Sequence, residues 1–382
     1  MKVVVAIDSF KGSLESVEAG EAIKEGILLA DPEAEVVVKP VADGGEGTMD
    51  ALTEALHGEK VVRMVTGPYH EKIVAEYGWI PEEKTAVIEM SAAAGITISE
   101  RKEPLCATTF GVGEMIADAL ERGCRRVILG IGGSATNDCG LGMLSALGYR
   151  FLDENGEPCG VDGGDLKKVK SVDDSARHDG LGQCVFDIAC DVKNPLCGKN
   201  GCTYIFGPQK GIKPEELAQV DRDVAHFADV TAQYTGKDER EVPGTGAAGG
   251  LGFAFLRYLE GNLVPGIELV LGSLGLEEEI RDADLVITGE GRLDHQTAFG
   301  KLPVGVAAIA KKAKPGIPVV AFAGSVTKDA GACNQHGIDA FFPILREITT
   351  LEQAMEKETA CGNLRGTAEQ VIRLFQCGRK PI

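Results

Sequence analysis

At 382 residues the chain is long enough for two domains with separate cores, and 44% hydrophobic with 25% charged residues is an ordinary globular composition. Its 39 basic and 58 acidic side chains leave a formal charge of −19, a field that repels phosphate backbones and anionic bilayers and so argues against nucleic acid or membrane as a partner of the general surface. No apolar run approaches the ~20 residues of a membrane span, and the run at residues 3–7 is too short for a signal-peptide core, so the cytoplasm is the expected location.

In chain order, VVVAI (3–7) reads as a buried strand. A helix follows, with Ala19, Ala22, Ile23, Gly26, Ile27 and Ala30 on one face. EVVVKPV (35–41) is a second strand, followed by ADGGEG and a short helix closed by Gly58. Residues 60–90 carry Gly-Pro and Ile-Pro-Glu-Glu breaks between strand-like pieces, which predicts hairpins, with the lone Trp79 as core. Next come a helix over about 108–122, the strand RRVILGI, a Gly-rich turn and the helix LGMLSALG. CVFDIACDV (184–192) is another buried strand, and a polar helix over about 213–235 precedes the cluster PGTGAAGG. Strand–helix alternation resumes at 284–291, with a helix over about 303–313 and strands IPVVAFAG and AFFPIL.

The last hundred residues thus resemble the first sixty more than the middle. The expectation is one discontinuous Rossmann/flavodoxin-like parallel-sheet α/β domain from residues 1–62 and 282–382, with a mixed α/β domain inserted at 63–281 and a ligand cleft between them.

The strand ends carry the chemistry. VVVAI ends in Asp8, and VVVKPV runs into Asp43 and Glu46. RRVILGI leads to GGSATND (132–138), FDIAC leads to Asp191, and LVITG leads to Glu290, Arg292 and Asp294. Open parallel sheets bind ligands at the carboxyl ends of their strands. One acid there is usually a helix cap or turn former; five such ends together exceed what capping requires. Glycine with small hydroxyl residues presents N–H groups to an anion, and carboxylates beside such cradles suit a divalent cation bridging phosphates. Phosphoryl transfer is therefore favoured over a sugar-binding protein.

Several features are discounted. GTGAAG (244–249) matches G-x-G-x-x-G, but the segment before it is polar and no strand, so a nicotinamide-dependent hydroxyacid dehydrogenase is disfavoured; those glycines allow close helix approach, and a cradle for substrate or phosphate stays open. No Walker A loop is present. Six histidines show no metal spacing, and His295 reads as a polar loop residue. Cys184, Cys190, Cys197 and Cys202, among eleven cysteines with no C-x-x-C pair, read as reduced thiols. In DSFKGSLES (8–16), Ser13 or Ser16 is expected to cap the following helix.

DSFKGSL, PVADGGEGT, IGGSATND, ACDVKNPL, IFGPQKG, PGTGAAGG and ITGEGRLDHQTAFGKLP, in this order, closely resemble the bacterial glycerate kinase family of the glycerate 2-kinase type. The resemblance spans nearly the whole chain. Cys139 stands where the family usually has glycine, and residues 295–299 are variable ground in it. The resemblance implies ATP-dependent phosphorylation of D-glycerate with Mg2+, giving mainly 2-phosphoglycerate, and a discontinuous α/β domain with an insertion.

On that footing, Arg292 is the expected fork for the substrate carboxylate, and Lys11 the cation on the transferred phosphoryl group. Asp8, Ser9, Asp43 and Glu46 join Arg292 around the substrate. Gly132, Gly133, Ser134, Ala135, Thr136 and Asn137, with Lys301, are expected to hold ATP, chiefly through N–H groups of the loop. Asp191 and Glu290 are candidates for magnesium, and Asp294 or Asp191 for the acceptor of the hydroxyl proton. No residue separates position 2 from position 3 of glycerate, so a glycerate 3-kinase stays open, as does a homo-oligomer. A non-enzymatic sugar-acid binder is the rival from another class.

Overall fold

The computed structural model describes residues 1–10, 12–41, 47–299 and 301–377, with the backbone alone at Phe299. The expectations for Lys11, Asp43 and Glu46 lie outside the described residues. The strands are β1 (Lys2–Ile7), β2 (Glu35–Pro40), β3 (Glu59–Thr66), β4 (Lys72–Ile80), β5 (Thr85–Glu89), β6 (Arg126–Gly130) and β7 (Arg150–Leu152). They continue with β8 (Ser171–Asp173), β9 (Val185–Ala189), β10 (Asn262–Val264), β11 (Leu285–Leu293), β12 (Val319–Val326) and β13 (Ala340–Pro343). The chain forms two compact units, Met1–Leu56 with Val270–Ile382, and His57–Leu269.

The first unit is a five-stranded, all-parallel sheet in the order β13-β12-β11-β1-β2. Renumbered along the chain, that order is 2-1-3-4-5, the flavodoxin-like doubly wound arrangement. β1 lies centrally, in register with β11 from Val3↔Leu285 to Ile7↔Gly289. A central parallel strand is covered on both faces, which is why its apolar run is unbroken and Val3 to Ile7 are all fully buried. Each of its Val and Ile side chains stabilises the fold by roughly 1.5–3 kcal/mol relative to exposure. β2 has the same β-branched composition but sits at the sheet edge, and its residues are mostly half-buried.

The helix Ser16–Ala30 buries Ala19, Ala22, Ile23, Gly26 and Ile27, the expected stripe, and packs along the helix Lys357–Cys377, whose Leu364, Ala368 and Ile372 join the same core. Its start differs from expectation: neither serine caps it. Glu15 is the capping residue, its N–H donating to Glu18 Oε2 at 3.1 Å, while Ser16 is already the first helical residue. The Ser13 hydroxyl is buried in the Phe10–Leu14 turn without a hydrogen-bond partner among the described residues. A carboxylate three positions on reaches back to the orphan N–H as a short hydroxyl would not.

The second unit holds a mixed six-stranded sheet, β10-β9-β6-β5-β4-β3, and a small antiparallel pair, β7-β8. β3, β4 and β5 are the hairpins read from the sequence, with Trp79 on β4 buried; β5, β6, β9 and β10 run parallel. Because β3 pairs with β4 along its whole length, residues 59–62 belong to this unit. Its core is built around Tyr77, Phe186, Phe227, Phe253 and Phe255. All eleven cysteines are free thiols, and no described helix is long and apolar enough to cross a membrane.

Candidate active site

β1 and β11 lie side by side, but the chain leaves them in opposite directions, β1 towards β2 and β11 towards β12. At such a switch point the loops at the strands' carboxyl ends splay apart and leave a crevice. A cavity of about 450 Å³ opens there, within the range of small-molecule sites. Asp8, Ser9, Glu290, Arg292, Asp294 and Lys301 all border it, and Phe10, Ile344, Leu351 and Met355 form an apolar wall.

Each polar group is held by its own element. Asp8 continues the β1 ladder by donating its N–H to the Gly289 carbonyl at 3.0 Å, and its Oδ1 accepts the Ser9 N–H at 2.7 Å. Glu290, on β11, accepts the Thr297 hydroxyl at 2.5 Å. Asp294, just past β11, heads the single-turn helix His295–Phe299 as an Asx turn: its Oδ1 accepts the N–H groups of Gln296 and Thr297 at 2.9 and 3.3 Å. Lys301 Nζ stands 3.6 Å from Asp294 Oδ1, and Arg292 Nε 3.8 Å from its Oδ2. The Arg292 side chain is 66% exposed, so its guanidinium is open to a ligand.

Burial pushes the Glu290 carboxyl above its ordinary range; Thr297 and Lys301 oppose this, while Asp8 and Asp294 reinforce it. Among the described residues, three acids therefore face two cations, a balance that favours a bound cation or a proton. By donor chemistry the cavity suits a hard divalent ion. Among the described residues no three ligating side chains form a ready-made cage, which is compatible with magnesium, an ion that keeps several waters and takes one or two carboxylates plus substrate phosphates.

The second unit carries the other expected residues. Asp191 follows β9 and is exposed; its Oδ1 accepts the Gly266 N–H at 2.9 Å, at the start of the helix Gly266–Ser273. Gly132 to Asn137 follow β6 as a loop stitched to the neighbouring 94–96 segment: Ala135 N–H donates to Ala94 and Ile96 N–H to Gly133. The Ala135 N–H is thus committed and is not one of those left for an anion. Thr136 and Asn137 are fully buried, facing the protein and not the surface, and Asn137 Nδ2 contacts Thr203 Oγ1 at 3.3 Å. Gly132 and Gly133 are exposed, and Ser134 lies beside them. Their N–H groups have no partner among the described residues. The exposed part of the loop is therefore Gly132 and Gly133, with the buried Ser134 beside them, a shorter stretch than the sequence suggested.

Beneath this loop, Asp138 is fully buried and accepts from Thr109 N–H (2.8 Å), Thr109 Oγ1 (2.7 Å), Gly140 N–H (3.2 Å) and Gly142 N–H (3.3 Å). It ties together the starts of the helices Phe110–Glu121 and Leu141–Ala146, a structural role. Burial pushes its carboxyl up, and those four donors oppose the shift. The PGTGAAGG cluster packs against the same loop. Gly249 (φ 67°) donates no side chain because a Cβ would stand 2.2 Å from the Thr136 carbonyl oxygen. Close backbone approach accounts for this glycine. Sequence reading missed Thr297, Ser325 on the cavity rim and Lys210 behind the loop. Lys210 lay within IFGPQKG, but a lysine at a helix end before glycine is common and signals nothing alone.

The Glycerate kinase family model matches residues 3–376. The chain is 47% identical over 356 residues to Glycerate 2-kinase of Escherichia coli (strain K12), covering 93% of each chain. It is 47% identical over 358 residues to Glycerate kinase of Bacillus subtilis (strain 168), again covering 93% of each. A crystal structure from Salmonella typhimurium LT2, provisionally named glycerate kinase 2, superposes with a TM-score of 0.90 at 42% identity, covering 99% of both chains.

Proposed function

We propose that this chain, which belongs to the glycerate kinase family, transfers the terminal phosphoryl group of ATP to D-glycerate, with 2-phospho-D-glycerate as the product. The observation that carries the reading is the convergence of Arg292, Asp294, Lys301, Glu290 and Asp8 on one cavity at the switch point of a doubly wound sheet. A short hydroxy-acid needs a cationic fork for its carboxylate, and the exposed Arg292 guanidinium offers two parallel N–H donors. Asp294, held by two backbone N–H groups, takes the proton from the reacting hydroxyl. Lys301, 3.6 Å from Asp294, places positive charge beside the entering phosphoryl oxygens. Lys11 is proposed for the same task, and Asp43 and Glu46 join Asp8 and Ser9 around the substrate.

Residues 132–134 hold ATP phosphates through their N–H groups and the Ser134 hydroxyl. Magnesium, when bound, neutralises charge on the phosphate oxygens, and Glu290 and Asp191 are each a proposed ligand for it, directly or through water. Most of the rate enhancement is assigned to positioning and charge, since a loose phosphoryl transition state needs little covalent help. The cytoplasm is the proposed location.

Position 2 is favoured because the Escherichia coli relative carries that name. The test is direct: purified protein with D-glycerate and MgATP, ADP release followed by a coupled assay, and phosphorus NMR of the product. A 3-phosphate signal removes the 2-kinase assignment, and glycerate binding without ADP release removes the kinase.

A further inference from the structure

The helix Cys202–Lys210 ends on its lysine, stopped by Gly211 in the left-handed region (φ 111°). Lys210 therefore sits where the helix dipole is negative, a favourable place for a cation. Its side chain points inward and is only 3% exposed. Nζ donates to Ser134 Oγ at 2.6 Å and to the Thr136 carbonyl at 2.8 Å. Both acceptors are neutral, and no carboxylate among the described residues forms an ion pair with it. Burying an ammonium against neutral oxygens alone is costly, because no counter-charge offsets its lost hydration. Two of its three donors are engaged.

The consequence falls on Ser134. A hydroxyl that accepts from an ammonium keeps its own proton for another acceptor, and the cation strengthens it as a donor. That hydroxyl belongs to the residue next to Gly132 and Gly133, whose N–H groups have no partner among the described residues. Two further polar atoms of the loop, Thr136 Oγ1 and Asn137 Oδ1, are buried without a partner among the described residues, so Lys210 joins the Asn137–Thr203 bond and the backbone pairing to residues 94–96 in holding the loop.

We propose that Lys210 is the positioning residue of the 132–134 loop: acting through Ser134, it fixes that hydroxyl as a donor to a nucleotide phosphate oxygen and supplies the positive potential beneath it. This rests on the reading of the loop as the phosphate cradle. Burial lowers the amine pKa to about 8, with Cys202 and Asp138 opposing, so at neutral pH it carries its charge.

The test uses the full chain with Lys210→Met, Lys210→Arg, Ser134→Ala and the Lys210→Met/Ser134→Ala double variant. ADP and adenosine are titrated by calorimetry, and KM is measured for ATP and for D-glycerate. ADP binding should weaken about tenfold or more in Lys210→Met and in Ser134→Ala, as for loss of a charge-assisted hydrogen bond. Adenosine affinity and the D-glycerate KM should stay within about twofold. The double variant should be no worse than the weaker single one, and Lys210→Arg should recover part of the loss, because the two residues act as one unit. A lowered melting temperature with unchanged ADP affinity overturns the proposal, as does equal weakening of ADP and adenosine. If Lys210→Met does not fold, Ser134→Ala decides: unchanged ADP affinity there also overturns it. The ADP titration needs no turnover, so a wild type that binds ADP but phosphorylates nothing would sink the kinase reading and leave this one standing. A rise in the D-glycerate KM alone would move the loop to the substrate carboxylate and overturn the phosphate assignment without touching the kinase.

Discussion

The Thr297 hydroxyl donates to Glu290 Oε1 at 2.5 Å across the single turn His295–Phe299. Burial raises the Glu290 carboxyl, and this bond is the first of the interactions holding it down. Removing the hydroxyl removes support for the charged form, so the carboxyl pKa climbs further. In Thr297→Val the acid limb of the kcat/KM profile for D-glycerate should therefore move to higher pH. Superimposed limbs for variant and wild type would show that Glu290 does not govern that limb.

Asp294 is anchored by two N–H groups and flanked by Arg292 and Lys301, so Asp294→Asn keeps the shape of the turn while losing the base. Turnover should fall by at least ~100-fold with circular dichroism unchanged, the lower range for general-base loss. Retained activity would move the base elsewhere.

Arg292 tests the carboxylate fork. Lysine keeps the charge but not the paired planar donors, so Arg292→Lys should raise the D-glycerate KM by about tenfold while the ATP KM holds. Equal changes in both KM values would mean that Arg292 serves the nucleotide instead.

Gly249 and Gly236 share left-handed backbone, at φ 67° and 74°, but a Cβ at Gly236 meets open space whereas one at Gly249 meets the Thr136 carbonyl at 2.2 Å. Gly236→Ala should cost about 1–2 kcal/mol, the left-handed penalty alone. Gly249→Ala must add a backbone clash and should cost at least about 2 kcal/mol more by urea unfolding, if it folds. Equal costs would mean that the loop yields easily.

Lys210 also leaves a mark on stability. Its folded-state pKa, about 8, lies below the ordinary 10.5. Between these values the unfolded chain holds a proton that the folded chain has released, so this residue makes stability rise with pH there. Below about pH 8 both states are protonated and the slope from this group vanishes. Wild-type stability should therefore gain on that of Lys210→Met from pH 8 to 10.5. Parallel curves would mean that the amine titrates normally.

The architecture was largely legible in the residues. Apolar periodicity, Gly and Pro punctuation and the acids after each apolar run are local signals, and they located the hairpins of 60–90, the strand-end loops and every strand but the three-residue β7, β8 and β10, which are too short to show a period. Less of the site was legible. The loop GGSATND was found as a unit, but only Gly132 and Gly133 are exposed, since burial of Ser134, Thr136 and Asn137 depends on the helix Cys202–Lys210, which lies some seventy positions away. The helix at Ser16 likewise starts under Glu15 and Glu18, a choice among several good capping residues that side-chain reach decides.

By itself, then, the amino-acid order determined the alternation of elements, the chemical kinds gathered at strand ends and the family motifs, because each rests on neighbours within a few residues. Tertiary structure alone decided that β1 pairs with β11, so that Asp8 meets Glu290 and Asp294 at one cavity. It also decided that Asp138 is a buried tie and that Lys210 stands behind Ser134. Strand order and burial come from packing between segments remote in the chain, and no local pattern encodes which remote segment will be the neighbour.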